Sequence, residues 1–190
     1  FTATIQLESY EPLALLNYSP NFDGTNLGIY SLNYRNSKLE VNAGHFYEQF
    51  GSGMILRSYE ERSLGLDNAL DGVRARYTNE HGISMTGLVS KQRKAFDGKL
   101  INGEGLLRGF DAEVDVMRLT GRADSSDLRL TIGGSFVSKY NTQNLIDTLI
   151  LPKNVGAAAF RVETSYKNWR GFAEYMKKAN DPYPSGTEEF

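Results

Sequence analysis

The sequence predicts an all-β fold, an antiparallel up-and-down transmembrane β-barrel or a contiguous part of a larger one. Three observations carry this reading. About nine segments alternate apolar and polar residues with period 2, as strands with two unlike faces do. The connections between them alternate long and short, the order of a membrane barrel with tight turns at one end and longer loops at the other. No stretch has helical periodicity, and no apolar run approaches the ~18–20 residues of a membrane helix.

Taken in order, residues 1–9 place Phe1, Ala3, Ile5 and Leu7 opposite Thr2, Thr4, Gln6 and Glu8. Residues 10–27 read as loop, with Pro12, Pro20 and the turn signal Asp23-Gly24. Segment 28–35 sets Tyr30, Leu32 and Tyr34 against Ser31, Asn33 and Arg35, and turns at Asn36-Ser37-Lys38 into 39–47, where Leu39, Val41 and Ala43 oppose Glu40, Asn42 and Gly44. These two form a hairpin. Residues 48–70 are a long loop. Segment 71–78 then sets Val73, Ala75 and Tyr77 against Arg74, Arg76 and Thr78, and 83–91 sets Ile83, Met85 and Val89 against Ser84, Thr86 and Ser90.

Residues 92–105, rich in Lys, Asp and Gly, read as another long loop. The clearest split follows in 106–118, with Phe110, Ala112, Val114 and Val116 against Asp111, Glu113 and Asp115. Segment 128–139 lines Leu128, Leu130, Ile132 and Phe136 on one face and contains Gly133-Gly134. Residues 140–154 are loop, with Leu145–Leu151 apolar enough for a short extra strand. The last two strands, 155–166 and 169–178, turn at Lys167-Asn168 and place Arg161, Glu163, Arg170 and Glu174 on their polar faces.

Composition agrees and excludes several classes. Eleven Tyr, ten Phe and nineteen Gly with only five Pro favour strands. A net charge of -2 gives no basic face for nucleic acid. The absence of Cys excludes disulfides, CxxC redox sites and Cys-based zinc sites. The chain opens on Phe1, without Met, directly into a strand pattern, and a processed chain or an internal fragment is expected. The expected organisation is one barrel domain over residues 1–190, a fragment of a longer barrel chain, because single-chain bacterial barrels usually have an even strand number.

Enzymatic and cofactor motifs are missing. Asp111, Glu113 and Asp115 point the same way along a strand, ~6.5–7 Å apart by strand rise, but lack the turn glycine of a calcium loop and any second glycosidase feature. His45 and His81 belong to no Ser-His-Asp pattern, and there is no G-x-S-x-G elbow. Gly51-Ser52-Gly53 lacks the lysine and spacing of a phosphate loop. No catalytic residue, metal ligand or cofactor is assigned.

The polar faces and the central loop instead suggest a charge network. The loop and its exit carry Glu48, Arg57, Glu60, Glu61, Arg62, Asp67, Asp71 and Arg74, with the apolar anchor Met54-Ile55-Leu56. A loop of this length in a compact domain is uncommon and often functional. The expectation is that Glu48–Arg74 packs into the barrel mouth. Arg57, Arg62 and Arg74 would be the cations there, paired with acids of the loop and with lumen-facing residues such as Asp111 and Glu113.

The stretch F-Y-E-Q-F-G-S-G-M-I-L-R-S-Y-E-E-R-S-L-G-L-D-N-A-L-D-G-V-R, followed by G-L-V-S-K-Q-R, R-G-F-D-A-E and G-G-S-F-V-S-K-Y, resembles a family of uncharacterised outer-membrane β-barrel proteins of Bacteroidota. The resemblance covers residues 28 to 180. It implies a bacterial outer-membrane location and a barrel fold, and no particular activity; the expected partners are outer-membrane lipid and other envelope proteins. The expected function is a non-enzymatic pore or the barrel subunit of a larger envelope complex. The alternatives are a soluble or surface β-sandwich that binds glycans through Tyr and Trp, and a barrel enzyme acting on lipid or glycan.

Overall fold

The computed structural model describes residues 1–11, 22–61, 64, 66–123, 125–141, 145–146, 149–150 and 152–179. Its main feature is one nine-stranded antiparallel sheet built from strands adjacent in the chain. These are β1 (Thr2–Tyr10), β2 (Phe22–Arg35), β3 (Leu39–Phe46), β6 (Leu70–Thr78), β7 (Ile83–Asp97), β8 (Leu100–Asp115), β9 (Leu128–Tyr140), β12 (Asn154–Tyr166) and β13 (Trp169–Lys178). Two short ribbons are separate from it: β4 (Glu60–Glu61) with β5 (Leu66–Asp67), and β10 (Leu145–Ile146) with β11 (Leu149–Ile150).

The expected alternation is present in the segments from which it is read. Residues facing one another across a ladder share a side of the sheet. One side therefore carries rows such as Tyr34–Val41–Ala75–Gly87–Phe110–Phe136–Ala158. The other carries Glu40–Arg76–Thr86–Asp111–Ser135. We call these the outer and inner sides.

Exposure inverts the usual order of a globular protein. Ile5, Leu32, Val73, Val89, Phe110, Phe136 and Phe160 on the outer side are exposed, whereas Arg93 and Arg161 on the inner side are 2% and 5% exposed. The principal apolar cluster is small and lies on the inner side: Phe46, Phe50, Leu56, Leu70, Leu88 and Val137, with Ile55 and Leu107 against it.

Several element boundaries differ from the sequence reading. Residues 92–105 are not a long loop, since β7 runs to Asp97 and β8 begins at Leu100. Past Ser90 the strand reads Lys-Gln-Arg-Lys, which has no apolar alternation to mark it. Residues 116–119 end the strand early and form a one-turn helix, α1 (Val116–Leu119). Asp115 caps it, its carboxylate accepting from the N–H groups of Met117 and Arg118 at 3.0 Å each. The short extra strand expected within 145–151 is the β10–β11 ribbon.

The topology also dictates where the central loop goes. At the end where β3 stops at Phe46 and β6 starts at Leu70, β2 and β7 continue and pair in parallel, Phe22 with Phe96 and Asp23 with Asp97. The sheet thus bends over the gap. The chain between β3 and β6 leaves on the inner side and covers that face.

Candidate functional site

The site is the inner face with the described residues between β3 and β6 (47–61, 64 and 66–69) folded against it. The tip of this segment closes on itself: Gln49 and Arg57 form an isolated bridge, Phe50 N–H donates to Leu56 O at 3.1 Å, and Gly53 N–H donates to Phe50 O at 2.9 Å. Gly51 and Gly53 take left-handed φ angles of 55° and 92°, where a side chain is disfavoured. The turn drives Phe50 down into the apolar cluster, 1% exposed. It lands over Gly109, where a Cβ would meet the Phe50 ring at 2.9 Å. Gly109 is thus the floor of the Phe50 seat, and Leu88 and Val137 are its register neighbours.

Three arginine-centred clusters hold the segment and stiffen the face. The first is built on Arg93, whose side chain has no exposed surface. Its guanidinium donates to both Glu8 carboxylate oxygens at 3.2 and 2.6 Å and to Tyr10 Oη at 3.3 Å, and it pairs with Asp67 of the loop. The rings of Phe22 and Phe96 flank it at 5.2 and 5.5 Å. Its backbone N–H also donates to Ala69 O at 2.8 Å. One residue therefore ties β1, β7 and the returning end of the loop together.

Asp67 also accepts from Tyr47 Oη at 2.9 Å and Ala69 N–H at 3.1 Å. Burial pushes its carboxyl above the ordinary carboxylate range, against the opposing pull of Arg93. Burial and the Asp67 charge likewise raise the Tyr47 phenol, so it is the donor in that contact.

The second cluster fixes the outgoing end. Glu48, with a side chain 6% exposed, receives Arg74 at 3.1 Å and Arg76 at 3.1 Å, and Arg74 also pairs with Glu40 of β3. Arg76 Nε donates to Thr86 Oγ1 at 3.2 Å. Ser58 closes the base of the loop, accepting from Glu48 N–H at 2.8 Å.

The third cluster lies under the loop tip. Arg161 on β12 reaches across β9 to β8, donating to Glu113 at 2.9 and 2.6 Å, to Asp111 at 3.0 Å and to Ser135 at 2.6 Å. The reach is possible because the residue between them is Gly133, where a Cβ would lie 2.7 Å from Arg161 Nε. Next to it, Glu174 of β13 accepts from the backbone N–H of Ser52 at 3.0 Å and from the Ser52 hydroxyl. A cavity of about 120 Å³ remains here, lined by Gly51, Glu113, Thr131, Arg161, Glu163 and Phe172.

Of the residues singled out from sequence, the structure brings Glu48, Arg74 and Asp67 into the clusters that hold the loop, and Asp111 and Glu113 into the cluster on Arg161. Arg57 and Asp71 lie outside these clusters. Arg57 lies exposed over the Tyr59 ring at 4.8 Å, and no described carboxylate pairs with it. Asp71 accepts from Asn102 at 2.6 Å and lies 4.0 Å from His45 Nε2, not against an arginine. Glu60 and Glu61 form the β4 side of the small ribbon, Glu60 opposite Asp67. Arg62 lies outside the described residues.

Sequence reasoning left Arg93, Glu8, Tyr10 and Tyr47 out of the network. Arg93 was hidden in a basic run that reads as solvated loop. Glu8 belonged to a strand whose other polar residues are uncharged. Asp111, Glu113 and Asp115 do not act as a carboxylate triad: the first two bind Arg161 and the third caps α1. Among the described residues no group of three or more His, Asp or Glu is arranged to hold a metal ion.

The chain belongs to a family of unknown function, DUF6029, whose family model matches residues 1–190. No curated protein and no solved structure matches it.

Proposed function

We propose that the sheet is part of a membrane-spanning β-barrel of a bacterial outer membrane. Residues 47–69 would be its luminal plug, and the protein a non-enzymatic barrel subunit of an envelope assembly, in contact with outer-membrane lipid. The observation that carries the reading is the inverted polarity of the sheet. Apolar side chains on the outer side are exposed while ionised ones on the inner side are buried and paired. A contiguous exposed apolar face of this extent marks contact with a partner or a membrane.

Two further features support lipid as that contact. Tyr34, Tyr77, Tyr166 and Trp169 lie at the ends of β2, β6, β12 and β13, all beside the tight hairpin turns, where an interfacial aromatic belt belongs. From Ala158 to Tyr166 the outward side of β12 fits within the ~9–11 residues that cross a bilayer at a tilt. The resemblance of the central motif to barrels of Bacteroidota supports the same compartment. The β-sandwich alternative needs a second large sheet, and the described residues hold only two-stranded ribbons besides the main sheet.

The chain lacks Cys, so single cysteines give clean spin-label sites. In the full-length protein in lipid vesicles, labels at Met85, Val89 and Phe160 should be reached by oxygen and shielded from a water-soluble relaxer. A label at Asn36 should behave oppositely. Water-like behaviour at all four positions overturns the proposal. Single-channel recording then separates a plugged subunit, which gives no steady large conductance, from an open pore.

A further inference from the structure

Lys91 and Arg108 stand apart from the inner-side arginines. Arg74, Arg93 and Arg161 each hold carboxylates. Lys91 and Arg108 are exposed on the outer side, in line with Val89 and Phe110, and neither has an ion-pair partner among the described residues. In register Val89 faces Arg108 and Lys91 faces Leu106, so the two cations are diagonal neighbours across the β7–β8 ladder. Diagonal neighbours lie ~7–8 Å apart at the backbone, within reach of long side chains. Asp71 faces Lys91 from β6, but its carboxylate accepts from Asn102 at 2.6 Å. Ser138 faces Arg108 from β9 and bonds to Asn154 at 2.5 Å. Two like charges are therefore adjacent on one face, with no described acid paired to either.

Their height on the sheet is as informative as their charge. Lys91 is the ninth residue of β7 counted from Ile83, and Arg108 is the eighth of β8 counted back from Asp115, at the same end of the sheet. The outer positions before them are Ile83, Met85, Gly87 and Val89 on β7 and Val114, Ala112 and Phe110 on β8, none of them ionisable. A tilted strand crosses hydrocarbon in ~9–11 residues. The cations therefore end the apolar band on the side where the central loop leaves the sheet, whereas Tyr77, Tyr166 and Trp169 border it at the other end. From that level their aliphatic stems carry the charges outward to the headgroup layer.

On the premise of the membrane reading above, we propose that Lys91 and Arg108 form a binding site for the phosphate of an anionic lipid headgroup, in the leaflet at the central-loop end. Arg108 supplies paired N–H donors to the phosphate oxygens, and Lys91 supplies a point charge. The phosphate offsets the repulsion between the two cations. The lipid's acyl chains then lie along Val89 and Phe110. An amphiphile is favoured over a free anion because the charged pair is continuous with the apolar face, so one molecule meets both.

The test uses the full-length protein in vesicles of phosphatidylcholine and phosphatidylglycerol, with one of the two lipids brominated at a time. A bimane fluorophore on a single cysteine replaces Val73, which is in register with Val89, or Met85 near the other border. Bromine quenching gives the relative binding of the two lipids at each label. Each basic residue near an anionic lipid is worth roughly a fivefold preference. Phosphatidylglycerol should therefore be preferred at Val73, and each of Lys91→Gln and Arg108→Gln should lower that preference roughly fivefold. The double variant should show no preference, Arg108→Lys should retain most of it, and Met85 should show none in any variant. Unchanged quenching of the Met85 label by brominated phosphatidylcholine verifies that each variant is still inserted. Equal quenching by both lipids at Val73 in the parent overturns the inference, as does a preference that survives the double variant or is equal at Met85. Loss of the preference on adding inorganic phosphate at constant ionic strength overturns the lipid as its source. If neither lipid quenches either label, the membrane reading itself fails.

Discussion

Arg93 and Arg57 both contact the central loop or belong to it, yet Arg93 has no exposed side-chain surface and Arg57 lies open over a tyrosine ring. Arg93 faces two carboxylates and two aromatic rings, and Arg57 faces one ring. The attraction between unit charges falls as local polarity rises, so the same guanidinium matters most where water is absent. Residue type and loop membership therefore do not rank these arginines. Burial does, and burial here follows from topology. Arg93 sits where β7 extends past the end of β6 and the loop folds back over it, whereas Arg57 sits at the loop tip.

The largest effect is expected at Arg93. Arg93→Ala leaves Glu8 and Asp67 buried without their cation, a change that costs roughly 3–5 kcal/mol. The midpoint of heat-modifiable gel mobility should fall further for this variant than for any other single substitution described here. Arg93→Lys should recover only part of the loss, because a lysine cannot fork between Glu8 and Asp67. A parent-like midpoint for Arg93→Ala would remove burial as the ranking principle.

A second variant attacks the apolar seat instead of the charges. Gly109→Ala places a methyl group against Phe50, and overpacking of this kind costs about 1–3 kcal/mol. Phe50→Leu on the same background should recover part of it by shortening the intruding side chain, a coupling that a double-mutant cycle measures. Trypsin cleavage after Arg57 is the local readout. It should accelerate in Gly109→Ala and slow again in the double variant, and additive effects would show that Phe50 does not seat on Gly109.

The tip contact to β13 should matter less. Glu174→Gln keeps an acceptor for Ser52 but removes the charge from an exposed hydrogen bond, a change of about 1 kcal/mol. The expected result is faster trypsin cleavage at the tip with little movement of the global midpoint. A large fall in the midpoint would mean that the tip, and not Arg93, is the main anchor.

The gradient from Arg93 to Arg57 also explains what the sequence made readable. Alternation placed Val73, Val89, Phe110 and Phe160 on one face and Arg74, Asp111 and Arg161 on the other, because a sheet with two unlike environments writes them into period 2. It was silent past Ser90, where Lys91-Gln92-Arg93-Lys94 reads as solvated loop although Arg93 is enclosed. Nor did it give the parallel β2–β7 bridge that bends the sheet, since Phe22–Asp23 and Phe96–Asp97 are distant in the chain and carry no shared pattern. Loop charges were visible as a set, and their partners were not. Pairing Glu48 with Arg74 and Arg76, but leaving Arg57 to Tyr59, depends on where the chain turns at Gly51 and Gly53.

Arg57 itself provides the smallest effect and the sharpest contrast. By composition alone it belongs with Arg74 as a cation that holds the central loop. In the fold its guanidinium stacks on Tyr59 at 4.8 Å in an exposed position. A cation–π contact in water contributes about 0.5–1 kcal/mol, and part of that is offset because the free side chain regains rotamer freedom when the contact is lost. Arg57→Ala should thus leave the gel-shift midpoint close to that of the parent. Arg74→Ala, which strips Glu40 and Glu48 of a shared partner, should lower it clearly, with Arg76 still holding Glu48 and keeping the loss below that of Arg93→Ala. The order Arg93, Arg74, Arg57 is the expected result. If Arg57→Ala falls as far as Arg74→Ala, the loop tip is held by a contact that burial does not reveal, and the ranking by enclosure fails at the position where it is easiest to measure.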